Sequence, residues 1–262
     1  MPFASGNGID IYYERAGDGQ LLLFISGSSS DLRTRPNQFD TPLADGFDMV
    51  SFDQRGLGQT TKPDGEYSMA DYAADTAALL DHLGLTRVAV VGVSFGGMVA
   101  QEFAVTFPER VTKLVLACTS SGGAGGSSYP LHDLVDLPAR ERAEEQLKVA
   151  DLQYDDAWIT ANPERWEQLI ARSLGMIRVD RDAEGAAKLL RGRRRHDVFD
   201  RLARLSMPVL LCAGKRDGIA PLANMEAIHQ QIPQSEIEYF DGGHMFMAQD
   251  KEAYPFMAQW LC

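Results

Sequence analysis

Ser94 stands in Gly92-Val93-Ser94-Phe95-Gly96, a G-x-S-x-G run between an apolar strand pattern and a helical one. A serine hydroxyl is a poor nucleophile until a base removes its proton. A histidine must therefore stand beside it, and a carboxylate must orient that histidine. Of the five histidines, His82 and His229 fall in predicted helices, and His132 and His196 in a long helical stretch. His244 closes Asp241-Gly242-Gly243-His244, a glycine-rich loop after a predicted strand, from which an imidazole reaches a sheet edge. For the acid, Asp217 lies in Gly214-Lys215-Arg216-Asp217-Gly218, just past the apolar run Val209–Ala213. That is the C-terminal end of a parallel strand, where open α/β sheets build their sites. Asp241 is the rival, but three residues before His244 it reads as the cap of a turn. The candidate constellation is Ser94 as nucleophile, His244 as general base and Asp217 as orienting acid.

Such residues need a scaffold, and the apolar spacing predicts one. Ile9–Tyr13 and Leu21–Ile25 read as strands joined by the turn signal Gly17-Asp18-Gly19, which suggests a hairpin. Met49–Phe52 is a further short strand. Met69–Leu83 carries apolar residues at helical spacing and stops at Gly84. Val88–Val93, rich in β-branched residues, suits a central strand covered on both faces. Met98–Phe107 is helical up to Pro108, and Val111–Cys118 is the next strand. Strand, helix, strand, helix implies a parallel α/β sheet. Ser121–Ser128 is then a Gly/Ser stretch with the composition of a flexible hinge. Helical patterns follow at Ala139–Val149, Pro163–Gly175 and Ala183–Arg191. Val209–Ala213 (strand), Leu222–Ile232 (helix), Glu236–Phe240 (strand) and a helix from about Lys251 complete the chain, without internal repeats. The expected organisation is a core of residues 1–119 and 206–262, interrupted at 120–205 by a helical lid after the sixth strand.

With these motifs in place, the sequence resembles the α/β-hydrolase superfamily over nearly its whole length. Phe52-Asp53-Gln54-Arg55-Gly56-Leu57-Gly58 is similar to that family's D-x-R-G-x-G loop, which is structural there, so Asp53 and Arg55 stay outside the expected site. Asp217-Gly218-Ile219-Ala220-Pro221 and Gly243-His244 fit the same pattern. The resemblance implies a mostly parallel eight-stranded sheet flanked by helices. It also implies an oxyanion hole built from the backbone N–H groups of Ser28 and Phe95. The chain departs from the family where a His-Gly pair often follows the third strand; here Ser26-Gly27 takes its place. Since the oxyanion donors are backbone groups, that change leaves them available. Gly27, Trp158, Met245 and Phe246 are the pocket candidates, with Trp158 better suited to packing lid helices together.

The resemblance narrows the reaction to hydrolysis of a small carboxylic ester or lactone through an acyl-enzyme. Dehalogenases and epoxide hydrolases of this fold use an aspartate where Ser94 stands. Carbon–carbon bond hydrolases often have Asn before the nucleophile and Trp after the histidine, where this chain has Val93 and Met245. That class and the cofactor-free haloperoxidases or perhydrolases remain as alternatives, with a non-catalytic small-molecule receptor further off. No cofactor or metal is called for.

Composition limits the partners. The net charge of −12 leaves no cation excess for nucleic acid or for an anionic membrane surface. The basic run Arg191-Gly192-Arg193-Arg194-Arg195 reads as a solvated face or a set of ion pairs, ahead of a phosphate site. Cys118, Cys212 and Cys262 match neither a disulfide framework nor a metal site, and an odd thiol count fits a reducing compartment. The expectation is a cytoplasmic monomer or homodimer acting on a small molecule.

Overall fold

The apolar runs become strands of one eight-stranded sheet in the computed structural model, which describes residues 2–176, 178 and 180–262. The strands are β1 (Phe3–Gly6), β2 (Ile9–Ala16), β3 (Gln20–Ile25), β4 (Phe47–Phe52), β5 (Val88–Val93), β6 (Val111–Ala117), β7 (Val209–Gly214) and β8 (Glu236–Phe240). They lie side by side in the order β1-β2-β4-β3-β5-β6-β7-β8. β2 runs antiparallel to β1 and β4, and every other neighbouring pair is parallel.

The hairpin expected between Ile9–Tyr13 and Leu21–Ile25 does not form, because β4 lies between them. Leu22 and Leu23 are both buried, so β3 needs cover on both faces and a strand on each edge. β2 alternates buried Ile9 and Ile11 with exposed Asp10, the pattern of a strand further out. The Gly17 turn reverses the chain without choosing its partner; a Cβ there would lie 1.9 Å from the Phe47 carbonyl. The hairpin that does form is β1–β2, through Asn7 (φ 49) and Gly8 (φ 77), an Asn-Gly turn that the sequence displays.

The helices cover the sheet on both faces. They are α1 (Met69–His82), α2 (Phe95–Thr106), α3 (Ala139–Ala150), α4 (Asp156–Ala161), α5 (Pro163–Gly175), α6 (Ala183–Arg193), α7 (Leu222–Gln231), α8 (Phe246–Gln249) and α9 (Ala253–Leu261). Ser68 and Asp71 close a reciprocal capping box at the start of α1. Side-chain alternation splits the core in two. Leu23, Val90 and Leu116 pack under α1, α2 and α7, while Leu22, Val91 and Val115 pack under α9. A third, smaller core of Ala143, Trp166 and Ile170 lies within the segment between β6 and β7, which contributes α3 to α6. Among the described residues no helix is long and apolar enough to cross a membrane.

The Gly/Ser stretch is close-packed where its composition suggested a loose hinge. Ser121 and Gly125 are buried, and Gly122 (φ 70) pairs with Asp197 across an isolated bridge. A Cβ on Gly122 would lie 1.8 Å from the His196 carbonyl. Its glycines serve close approach, which composition cannot distinguish from looseness. The basic run divides likewise. Arg191 is ion-paired with Glu184 and Glu66, whereas Arg193 is buried with neutral partners.

Candidate active site

Between β5 and α2 the chain turns at Ser94 with φ 56 and ψ −118, a conformation costly for a residue with a Cβ. The surroundings hold it there. Ser94 N–H donates to the Ala117 carbonyl at 2.9 Å, and Thr119 Oγ1 donates to the Ser94 carbonyl at 2.8 Å. Gly96 lets α2 press against β3: a Cβ there would lie 2.0 Å from the Ile25 carbonyl. The hydroxyl of Ser94 therefore stands at the positive end of α2, over the C-terminal edge of the sheet.

The side chains of Ser94, His244 and Asp217 form one hydrogen-bonded chain. His244 Nε2 is 2.8 Å from Ser94 Oγ, and Nδ1 is 2.8 Å from Asp217 Oδ2. Asp217 is 3% exposed and His244 9%, so the Nδ1 contact is shielded from water. The other Asp217 oxygen, Oδ1, accepts the N–H groups of Ile219 and Ala220 at 2.8 and 2.9 Å, which fixes the carboxylate plane. Asp241 lies elsewhere: it is exposed, and it pairs with Arg216 Nη1 at 2.5 Å. A relay of this shape can pass the Ser94 proton to the imidazole while the buried carboxylate stabilises the cation that forms.

Asp151, at the end of α3, ties the loops together and carried no signal in the sequence. It is 2% exposed and accepts from Arg216 Nε at 3.0 Å and from Gln249 Nε2 at 2.8 Å. Gln249 Oε1 in turn accepts Gly243 N–H at 2.8 Å, next to His244. Three backbone bonds join the same end of α3 to both loops: Gly218 N–H to Val149, His244 N–H to Ala150, and Leu152 N–H to Arg216. Thr119 escaped notice for the same reason, since a lone polar residue acquires meaning only through the partner that the fold supplies.

Gly27 stands directly at Ser94: a Cβ on it would sit 3.5 Å from Ser94 Cβ. Among the described residues no hydrogen bond outside regular helix or strand takes up the N–H of Ser28 or of Phe95. The first N–H groups of a helix lack an intrahelical partner, so that of Phe95 is free to meet an anion. Three pocket candidates are placed differently from one another. Met245 is 58% exposed beside His244. Phe246, expected in the pocket, is fully buried and stacks on Phe240 at 5.1 Å, because the first turn of α8 points it into the sheet core. Trp158 packs edge-on to Tyr154 at 4.8 Å within the small core of the helical segment, where α4 and α5 meet.

Among the described residues one group has metal-ligand proximity: Cys118, Asp217 and His244, with ligand atoms within 4.8 Å of one another. Both imidazole nitrogens already have partners, and burial pushes the Cys118 thiol well above the usual range, which keeps it neutral. The donor set suits a proton relay better than a metal.

The family described as alpha/beta hydrolase fold matches residues 21–251. A poly(3-hydroxyalkanoate) depolymerase from Ectopseudomonas oleovorans is 29% identical, over 92% of this chain and 83% of its own length. The 3-oxoadipate enol-lactonase 2 of Acinetobacter baylyi is 26% identical, over 90% of this chain and 86% of its own. Among solved structures, a thermophilic esterase from Thermogutta terrifontis superposes with a TM-score of 0.77 at 27% identity, covering 99% and 97% of the two chains. By the family match and this agreement in fold and relatives, the chain belongs to the α/β-hydrolase family and is a hydrolase.

Proposed function

We propose that the protein is a serine hydrolase that cleaves a small carboxylic ester or lactone through an acyl-enzyme on Ser94. The observation that carries this reading is the unbroken chain from Ser94 Oγ through His244 to the buried Asp217, with both bonds at 2.8 Å. The relatives named as a depolymerase of a polyester and as an enol-lactonase act on carbonyl–oxygen bonds by name, which supports the same bond class here.

With the Nδ1 proton directed to Asp217, Nε2 accepts the Ser94 proton as Oγ attacks the carbonyl carbon. The carbonyl oxygen becomes an oxyanion held by the N–H groups of Phe95 and Ser28, each worth roughly 3 kcal/mol in the transition state. His244 then gives its proton to the departing alkoxide; for a lactone that alkoxide stays tethered to the acyl group. Water enters, loses a proton to Nε2, and releases the carboxylic acid with Ser94 restored. The segment carrying α3 to α6 acts as a lid that closes over this step and sets substrate size.

A chain-length series of p-nitrophenyl esters, with the parent and Ser94→Ala, tests the proposal. Turnover in the parent and its loss in the variant are expected. Equal rates in the two, or none in the parent with any short ester or lactone, would overturn it.

A further inference from the structure

The cavity beside the site has a charge opposite to that of the chain around it. The chain carries −12, yet the lining of this cavity, about 530 Å³ in volume, includes the cations Arg193 and Arg194 and, among the described residues, no carboxylate. Arg193 is the informative member. It ends α6 and is 8% exposed. Its Nε donates to Ser128 Oγ at 3.1 Å, and its Nη2 to the same hydroxyl and to the Tyr129 carbonyl, the latter at 2.8 Å. Both acceptors are neutral. Burial lowers the guanidinium to about 10, so it remains a cation at neutral pH. His196, buried in the same wall, is held down to about 3 by burial and then by Arg201, and supplies no charge.

Two neighbouring arginines meet carboxylates: Arg191 has Glu184, and Arg201 has Glu102. A desolvated cation with no counter-charge is costly, and acids are plentiful in this chain. Two of the residues lining the cavity are immediate neighbours of the reacting ones. Met98 in its wall is one helical turn past Ser94 and donates its N–H to the Ser94 carbonyl. Gly218 in its lining follows Asp217 directly.

We propose that this cavity is the subsite for a second, unreacting carboxylate of the substrate, held by Arg193 while Ser94 attacks the ester. The preferred substrate is then a monoester or lactone of a dicarboxylic acid, a narrowing that rests on the proposed esterase reaction. The planar guanidinium can present two N–H groups to a carboxylate, and Ser128, which accepts from Arg193, keeps its own proton to donate.

The test compares kcat/KM for mono-p-nitrophenyl glutarate and adipate with that for the neutral p-nitrophenyl pentanoate and hexanoate. The parent is expected to favour the anionic ester by about ten-fold or more, chiefly through KM, as a charged hydrogen bond requires. That ratio, taken within each protein, should fall to about one in Arg193→Met and recover in part in Arg193→Lys. Neutral esters turned over without an anionic preference would overturn this proposal and leave the esterase reading standing. Persistence of the preference in Arg193→Met would also overturn it. If that variant does not fold, inhibition of neutral-ester hydrolysis in the parent decides. Competition by glutarate but not by acetate or inorganic phosphate supports the subsite, and any other pattern rejects it. Absence of turnover with every ester would instead sink the esterase reading itself.

Discussion

At the scale of single residues, Asp217→Asn separates the chemistry of the relay from its architecture. The Asn side-chain oxygen can still accept the N–H groups of Ile219 and Ala220 that Asp217 Oδ1 now takes. Its amide then faces His244 Nδ1 with a donor, which forces the proton onto Nε2 and leaves no base for Ser94. A loss of about 10⁴-fold in kcat is expected, with the thermal midpoint little changed. A variant keeping more than a tenth of parental kcat would remove Asp217 from the mechanism. Gly96→Ala probes the serine turn from the other side. A Cβ 2.0 Å from the Ile25 carbonyl and 2.5 Å from that of Ser26 cannot fit without moving α2 away from β3. The expected destabilisation is about 1–3 kcal/mol or more by denaturant titration, accompanied by a fall in kcat. Parental stability and rate together would mean that the turn tolerates slack.

At the scale of elements, Asp151 shows how α3 holds two loops at once. Removing its carboxylate leaves Arg216 and Gln249 without their shared acceptor, and Gln249 then no longer fixes Gly243 beside His244. Asp151→Ala should cost about 1–3 kcal/mol, a range already reduced for the one-third exposure of the Arg216 side chain. It should lower kcat more than it raises KM, since the reacting groups are displaced and the cavity is not. Unchanged kcat would confine Asp151 to stability. This link also explains what sequence could and could not convey. Ser94, Asp217 and His244 were legible because each sits at a strand end within a local motif. Val88–Val93 was legible as a central strand because its burial is nearly continuous. Strand pairing was not: the Gly17 turn reports a reversal, while the partner of β3 depends on which strands can be covered on both faces. Phe246 was assigned to the pocket by nearness to His244 in sequence and by aromatic type. A helix rotates successive side chains by about 100°, so Phe246, at the start of α8, faces the core while Met245 beside it stays exposed. Asp151 had no motif, because its meaning lies in contacts with residues 65 and 98 positions away.

At the scale of the whole molecule, the question is whether the segment between β6 and β7 melts with the sheet or before it. Its own core is small, resting on Ala143, Trp166 and Ile170, and alone would be marginal. Its anchorage is broad, however. Asn224 Nδ2, in α7, donates to Ser120 Oγ and to the Ser127 carbonyl, and the end of α3 is bonded to the loops of Asp217 and His244. At the other end, Gly185 in α6 lies against Gly56, close enough that a Cβ on Gly185 would be 2.2 Å from the Gly56 carbonyl. These contacts join the segment to α7, to the loops after β7 and β8, and to the loop after β4, so opening it exposes surface at several places and costs hydrogen bonds at most of the anchors. One cooperative transition is the expected result. The tryptophans make this measurable: Trp158 and Trp166 lie in the segment, whereas Trp260 lies in α9 and donates to Glu236 Oε1 at 2.7 Å. In Trp260→Phe, fluorescence reports the segment alone, and far-ultraviolet circular dichroism reports the whole fold. Coincident midpoints in urea are expected. Loss of fluorescence at clearly lower urea than loss of ellipticity would show a segment that opens independently, by local unfolding rather than by movement of a docked unit.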